Sequence, residues 1–158
     1  VGLAPDEEAG GRVQVPGPTV LVPPLPLPEP AAPAWPAGEP MREVKLIELA
    51  WGRSGDKGDI ANIGLVARRP EWLPVLWHVL TPEAVHQWLS HLVLGPVERF
   101  HLPGIAGINF VLHQALAGGG PRSPRLDPLG KGMAQLLLDM PVRLPAAWVA
   151  ELGKVPAK

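Results

Sequence analysis

From residue 41 onward the chain breaks into short runs of apolar and polar positions, and their spacing predicts a series of short elements. Glu43 to Trp51 reads as a strand with apolar residues on both faces and Gly52 at its end. Arg53 to Asp59 reads as a polar, glycine-containing turn, and Ile60 to Ala67 as a buried strand closed by Arg68-Arg69-Pro70. A helix is predicted over Glu71–Leu80, regular only after Pro74, whose missing N–H is harmless in the first turn alone. The next helix has a sharper start: Thr81 is a natural N-cap, Pro82 suits the first helical position, and Glu83 sits at the positive end of the dipole. Val85, Trp88, Leu89, Leu92 and Val93 form one apolar stripe, ended by Gly95-Pro96. Val97 to Leu102 reads as a strand with Glu98, Phe100 and Leu102 on one face. Ile108, Val111, Leu112, Ala115 and Leu116 repeat the helical spacing and predict a helix stopped by Gly118-Gly119-Gly120. Asp127-Pro128 starts a last helix burying Leu129, Met133, Leu136 and Leu137, and Val142–Leu144, between two prolines, is a short edge strand. The order β-β-α-α-β-α-α-β predicts an α+β fold, a small two-layer sandwich with helices on one face of a mixed sheet.

Proline changes this picture at the N-terminus. Eleven of the 22 prolines fall within the first 40 of 158 residues, in runs such as Pro23-Pro24-Leu25-Pro26-Leu27-Pro28. Such runs exclude helix and central strand and predict extended polyproline II or disorder, as a linker, a tail or a ligand for a proline-recognising domain. Ordinary composition resumes at Met41, as at the start of a protein or after a linker. The expected organisation is a tail over 1–40, a domain over 41–146 and a C-terminal tail over 147–158. A chain beginning at Met41 is expected to melt within a few degrees of the full one.

Charge and cysteine content narrow the function classes. With 14 Lys+Arg against 15 Asp+Glu the net charge is -1, so nothing points to a general nucleic-acid binder. The absence of cysteine removes disulfides, thiolate metal sites and a cysteine nucleophile, and suits a reducing cytosol. No apolar run reaches the roughly 18 residues of a membrane span, and no basic segment precedes an apolar stretch in signal-peptide fashion.

Two clusters carry candidate chemistry. In Arg53-Ser54-Gly55-Asp56-Lys57-Gly58-Asp59, followed by Asn62 and Gly64, glycines allow a close backbone approach, successive amides can form an anion nest, and Arg53 and Lys57 supply charge. The spacing is not that of a phosphate-binding P-loop. The alternative is a hairpin turn whose Asp and Ser bond their own backbone. The second cluster runs from Gly118 to Asp127 and on to Gly130-Lys131-Gly132, a glycine-rich loop with Arg122, Arg125 and Lys131 as counter-charges for an anion, or a mobile loop with ordinary caps. Asp56, Asp59 and Asp127 make a paired-carboxylate site only if the two loops meet, and the two are expected to face one another. His113, beside Asn109 and away from the apolar stripe of its predicted helix, is either an acid–base group or an exposed or capping histidine. The five histidines lack metal-ligand spacing, and no G-x-S-x-G nucleophile elbow is present.

Three segments in order, WGRSGDKGDIANIGLVARRPE over 51–71, PGIAGINFVLH over 103–113 and RLDPLGKG over 125–132, resemble the C-terminal domain of the AtuA family, the acyclic terpene utilisation proteins. The resemblance covers roughly Glu43 to Pro145. It implies a ferredoxin-like domain that normally follows a larger N-terminal domain or stands as a short separate chain, in bacterial breakdown of acyclic terpenes through CoA thioesters. The implied function is that of an accessory domain or small subunit working with an AtuA-type large domain in the cytoplasm. Its ligand-binding set is then Arg53, Ser54, Gly55, Asp56, Lys57, Gly58, Asn62, Arg125, Asp127 and Lys131. The alternative is a stand-alone hydratase or lyase acting on an acyl-CoA, with Asp56 or His113 as acid–base group and Arg53 and Lys57 holding the anion. Expected partners are the large domain, a CoA ester or other anion, and a second copy of the chain. No metal, cofactor, nucleic acid or membrane is expected.

Overall fold

A computed structural model describes residues 27–152. The tail assigned to 1–40 and the one assigned to 147–158 therefore lie partly outside the described residues.

The strands are β1 (Met41–Lys45), β2 (Ala50–Lys57), β3 (Ile60–Ala67), β4 (Val97–Leu102), β5 (Gly107–Leu112) and β6 (Pro141–Pro145). The helices are α1 (Leu73–Val79), α2 (Pro82–Trp88), α3 (Met133–Leu138) and α4 (Ala146–Leu152). The fold is α+β, and every strand pairing is antiparallel, so the one mixed sheet expected becomes two antiparallel sheets. One holds β1 and β6; the other has the order β2-β3-β5-β4.

The larger sheet shows why the element order departs from a plain βαββαβ chain. β3 and β4 both run antiparallel to β5 and are therefore parallel to each other, joined through α1 and α2. This is a crossover unit with a third strand between its two. β2 fills the outer place beside β3, joined to it by a hairpin, and α3 packs across β2 and β3. In a βαββαβ chain the second helix would lead into that outer strand. Here the strand comes from the N-terminal side, and α3 leads instead into β6.

Alternation in β3 sets the two faces. Ala61, Ile63, Leu65 and Ala67 are buried against the helices, while Ile60, Asn62, Gly64 and Val66 are half-exposed on the opposite face. Ile63, Leu65, Ile108, Phe110, Leu112, Leu76, Leu89 and Leu137 form the centre of the core. Thr81 caps α2 as expected, its Oγ1 accepting from Ala84 N at 3.1 Å.

Four expectations are corrected. The strand expected over Glu43–Trp51 is broken by a 3-10 turn at Leu46–Glu48, because Leu46, Leu49 and Ala50 are all fully buried and a straight strand cannot bury them on one face. The helix expected from Ile108 is β5: Ile108, Phe110 and Leu112 are buried at period two, in a run rich in β-branched and aromatic residues. The last helix starts at Met133, not near Asp127, because Gly130 turns the chain at φ +59. Finally, the first six residues of the expected C-terminal tail, 147–152, are helical as part of α4, and Trp148 packs on Trp72 with ring centroids 6.1 Å apart.

Candidate functional site

The Arg53–Asp59 segment is not a turn. β2 continues through Lys57, paired with β3 from Ala50↔Ala67 to Lys57↔Ile60, and only Gly58-Asp59 makes the turn. Gly58 has φ +64, as glycine at the first central position of a two-residue II′ hairpin does. Because a strand alternates, the polar cluster is divided between two faces. Ser54 and Asp56 point to the helix side; Arg53, Gly55 and Lys57 lie on the open side with Trp51.

On the helix side the side chains are engaged. Ser54 is buried; its hydroxyl donates to Lys131 O at 3.1 Å and accepts from Ala134 N at 3.0 Å, satisfying an amide in the first turn of α3. Asp56 Oδ1 is 3.6 Å from Lys131 Nζ. Asp127 accepts from Lys131 N at 2.9 Å through Oδ1 and from Gly132 N at 2.8 Å through Oδ2.

The two clusters do face one another. Asp59 Oδ1 accepts from Leu116 N at 3.0 Å and Gly118 N at 2.8 Å, and Asp59 O accepts from Ala115 N at 2.9 Å. Gly119, at φ +67, lies so close that an added Cβ would stand 1.9 Å from Gly58 O. Arg125 donates to Ala115 O and, at 2.8 Å, to Leu92 O, so its guanidinium ties this loop to the segment after α2. The meeting of the loops does not create a carboxylate pair, because Asp59 and Asp127 are both occupied by backbone amides. Around the hairpin and the glycine loop the exposed cations are Lys57, Arg122 and Lys131, with Asp56 beside Lys131; Glu98 is exposed at the same end of the sheet, across on β4.

Asn62 belongs to the open face, where its Nδ2 donates to Asn109 Oδ1 at 2.8 Å. Asn109 is missing from the expected ligand-binding set, and the helical spacing expected over Ile108–Leu116 hides its place beside Asn62 on a neighbouring strand. His113 follows β5 in a turn, correcting its placement on a helix, and its Nε2 is 2.6 Å from Glu98 Oε1. Asp56 and His113 thus engage different partners, Lys131 on the helix side and Glu98 at the end of β4. The structure does not bring the two acid–base candidates into one site.

Residues 44–143 match the family model of the AtuA ferredoxin-like domain. The chain belongs to this family. The match begins within β1 and ends within β6, so the whole of the larger sheet and the interlocked hairpin, glycine loop and Asp127 turn of this AtuA ferredoxin-like domain fall inside it. Comparisons with curated proteins and with solved structures return no match. Among the described residues no helix is long and apolar enough to cross a membrane.

Proposed function

We propose that this domain is an accessory module that works with an AtuA-type large domain or subunit in the breakdown of acyclic terpenes as acyl-CoA thioesters. In this reading the end of the sheet where the β2–β3 hairpin meets the glycine loop presents an anion-binding surface to a site completed by the partner. The carrying observation is the charge at that junction. Lys57, Arg122 and Lys131 are exposed there, whereas the carboxylates are only half-exposed, Asp59 and Asp127 turned to main-chain amides and Asp56 to Lys131, so the charges that reach farthest into solvent are cationic. Exposed cations on a rigid glycine-rich scaffold recruit phosphate or thioester-linked anions by charge. The separate positions of Asp56 and His113 favour this reading over a stand-alone hydratase or lyase.

The test is co-purification with an AtuA-type large domain, followed by calorimetric titration of a CoA ester into the small domain alone and into the complex. The reading expects partner capture and tighter ester binding by the complex, weakened by Lys57→Ala and Lys131→Ala. A partner that is not captured, or an affinity unchanged by its presence, overturns it.

A further inference from the structure

The face of the larger sheet turned away from the helices is ordered in rows by the strand registers. Trp51, Val66, Gly107 and Leu102 form one row; Arg53, Gly64, Asn109 and Phe100 the next; Gly55, Asn62, Val111 and Glu98 the third. Trp51 and Phe100 are large apolar side chains about half exposed, and no described helix covers them. β2 and β4, the two edge strands, carry opposite charge on this face: Arg53 and Lys57 on one, Glu98 on the other.

Two glycines of this face have no internal reason to be glycine. Neither Gly55 nor Gly64 has a positive φ. A Cβ on Gly64 would meet nothing nearer than Arg53 O at 4.0 Å, and one on Gly55 only the flexible end of Lys131 at 3.3 Å. Glycine inside a strand weakens it and marks a place where something else approaches closely.

We propose that this face is the interface of a homodimer, with a second copy of the chain packed sheet-on-sheet about a two-fold axis that runs parallel to the strands between β3 and β5. Such an axis sets each residue opposite its mirrored row-mate. Glu98 then enters the gap that Gly55 leaves between Arg53 and Lys57. Asn109 stands over Gly64, Arg53 over the ring of Phe100, and Trp51 against Leu102. Each free glycine receives a side chain, the cationic edge meets the acidic edge twice, and the exposed aromatic residues are covered. Glu98 meets His113 through Oε1, and its Oε2 has no hydrogen-bond partner among the described residues. Aligned sheets cross at about 30°, so the match holds best near the axis. Four strands of this length cover about 20 by 25 Å, or about 1,000 Å² for two faces before side-chain relief, which approaches the roughly 1,200–2,000 Å² of specific interfaces. This inference does not rest on the proposed anion site: the two share Lys57, at the end of β2, while Arg122 and Lys131 belong to the loops alone.

Charge reversal tests it on the full chain by sedimentation equilibrium, with circular dichroism confirming the fold. The unaltered chain is expected to be a dimer. Arg53→Glu places an acidic residue beside the Glu98 of the second copy, and Glu98→Arg places a basic one beside its Arg53, so each variant alone is expected to be monomeric. Mixed in equal amounts they are expected to form a heterodimer, because both contacts are then Glu against Arg. Arg53→Gln and Glu98→Gln, milder changes, are expected to weaken the dimer by about tenfold each. A monomeric unaltered chain, a dimer indifferent to both reversals, or folded single variants that fail to associate on mixing overturns the proposal.

Discussion

Ser54 shows how a residue chosen for chemistry can serve structure. Its neighbours in the sequence are charged, and that company suggested a ligand contact. Its position on the buried side of β2 makes its hydroxyl the link between the edge strand and the first turn of α3. Ser54→Ala leaves Lys131 O and Ala134 N without that partner in a dry environment. It is expected to destabilise the fold by about 1–2 kcal/mol, read from a urea denaturation midpoint. Lys57 is three residues away and exposed on the other face, with only a long 3.4 Å contact to Asp56 O. Lys57→Ala is therefore expected to change stability by less than about 1 kcal/mol while weakening binding of the CoA ester. Glu83 supplies a pH signal. Hydrogen bonds from its own backbone amide and from the Thr81 hydroxyl hold its carboxyl below the usual 4.5. The folded-state value is depressed, so this contribution is fully present above the unfolded value and is lost as pH falls through the lower folded one. Glu83→Gln is expected to flatten the acid limb of the stability profile, measured by denaturation across that window.

Elements were legible where one force set them. Ile60–Ala67 and Val97–Leu102 have the boundaries that the sequence predicts, because each lies between strong breakers, and Thr81-Pro82 marks the start of α2 because the cap is local chemistry. β5 was not legible as a strand. Its buried residues Ile108, Phe110 and Leu112 run on into buried Ala115 and Leu116 after a turn, and that composite mimics a helical stripe. The turn is visible only in the backbone, where Gln114 and Ala117 take φ values of +49 and +50. Reading β5 as a helix hid the open face, since Asn109 and Val111 could not be placed beside β3. Likewise, taking Arg53–Asp59 as a loop gathered on one surface side chains that the strand distributes between two. The glycine loop was legible as unusual, but its reason is close packing. An alanine at Gly119 would bring a Cβ against Gly58 O from a backbone conformation that favours glycine. Gly119→Ala is expected to cost at least about 2 kcal/mol and to increase amide exchange at Leu116 and Gly118, whose hydrogen bonds to Asp59 depend on that approach.

At the scale of the whole molecule, the proline-rich segment acquires a part that composition did not reveal. Prolines exclude regular structure, but they do not prevent an extended chain from lying against a domain, and a tryptophan between them gives it something to bury. Trp35 has ring centroids 5.1 Å from Trp148 and 5.4 Å from His78, so it joins α1 and α4 through one aromatic cluster. The same segment offers Pro40 O to Ala146 N at 2.8 Å, at the start of α4, and Pro28 O to His101 Nδ1 at 2.8 Å. These contacts bear on the small sheet as well: α4 packs on β1 and β6, the two strands of that sheet among the described residues, and a two-stranded sheet is marginal without such cover. The expectation that a chain beginning at Met41 keeps its stability is revised accordingly. Removing residues 1–40 is expected to destabilise the fold by about 2–4 kcal/mol, and Trp35→Ala alone to account for about 2 kcal/mol, as the loss of a half-buried aromatic side chain. The loss should be local before it is global. Amide exchange should rise first in β1, β6 and α4, while the larger sheet keeps its protection until the main unfolding transition. A Met41 chain with the same midpoint and exchange pattern as the full one would show that Trp35 only rests on the surface.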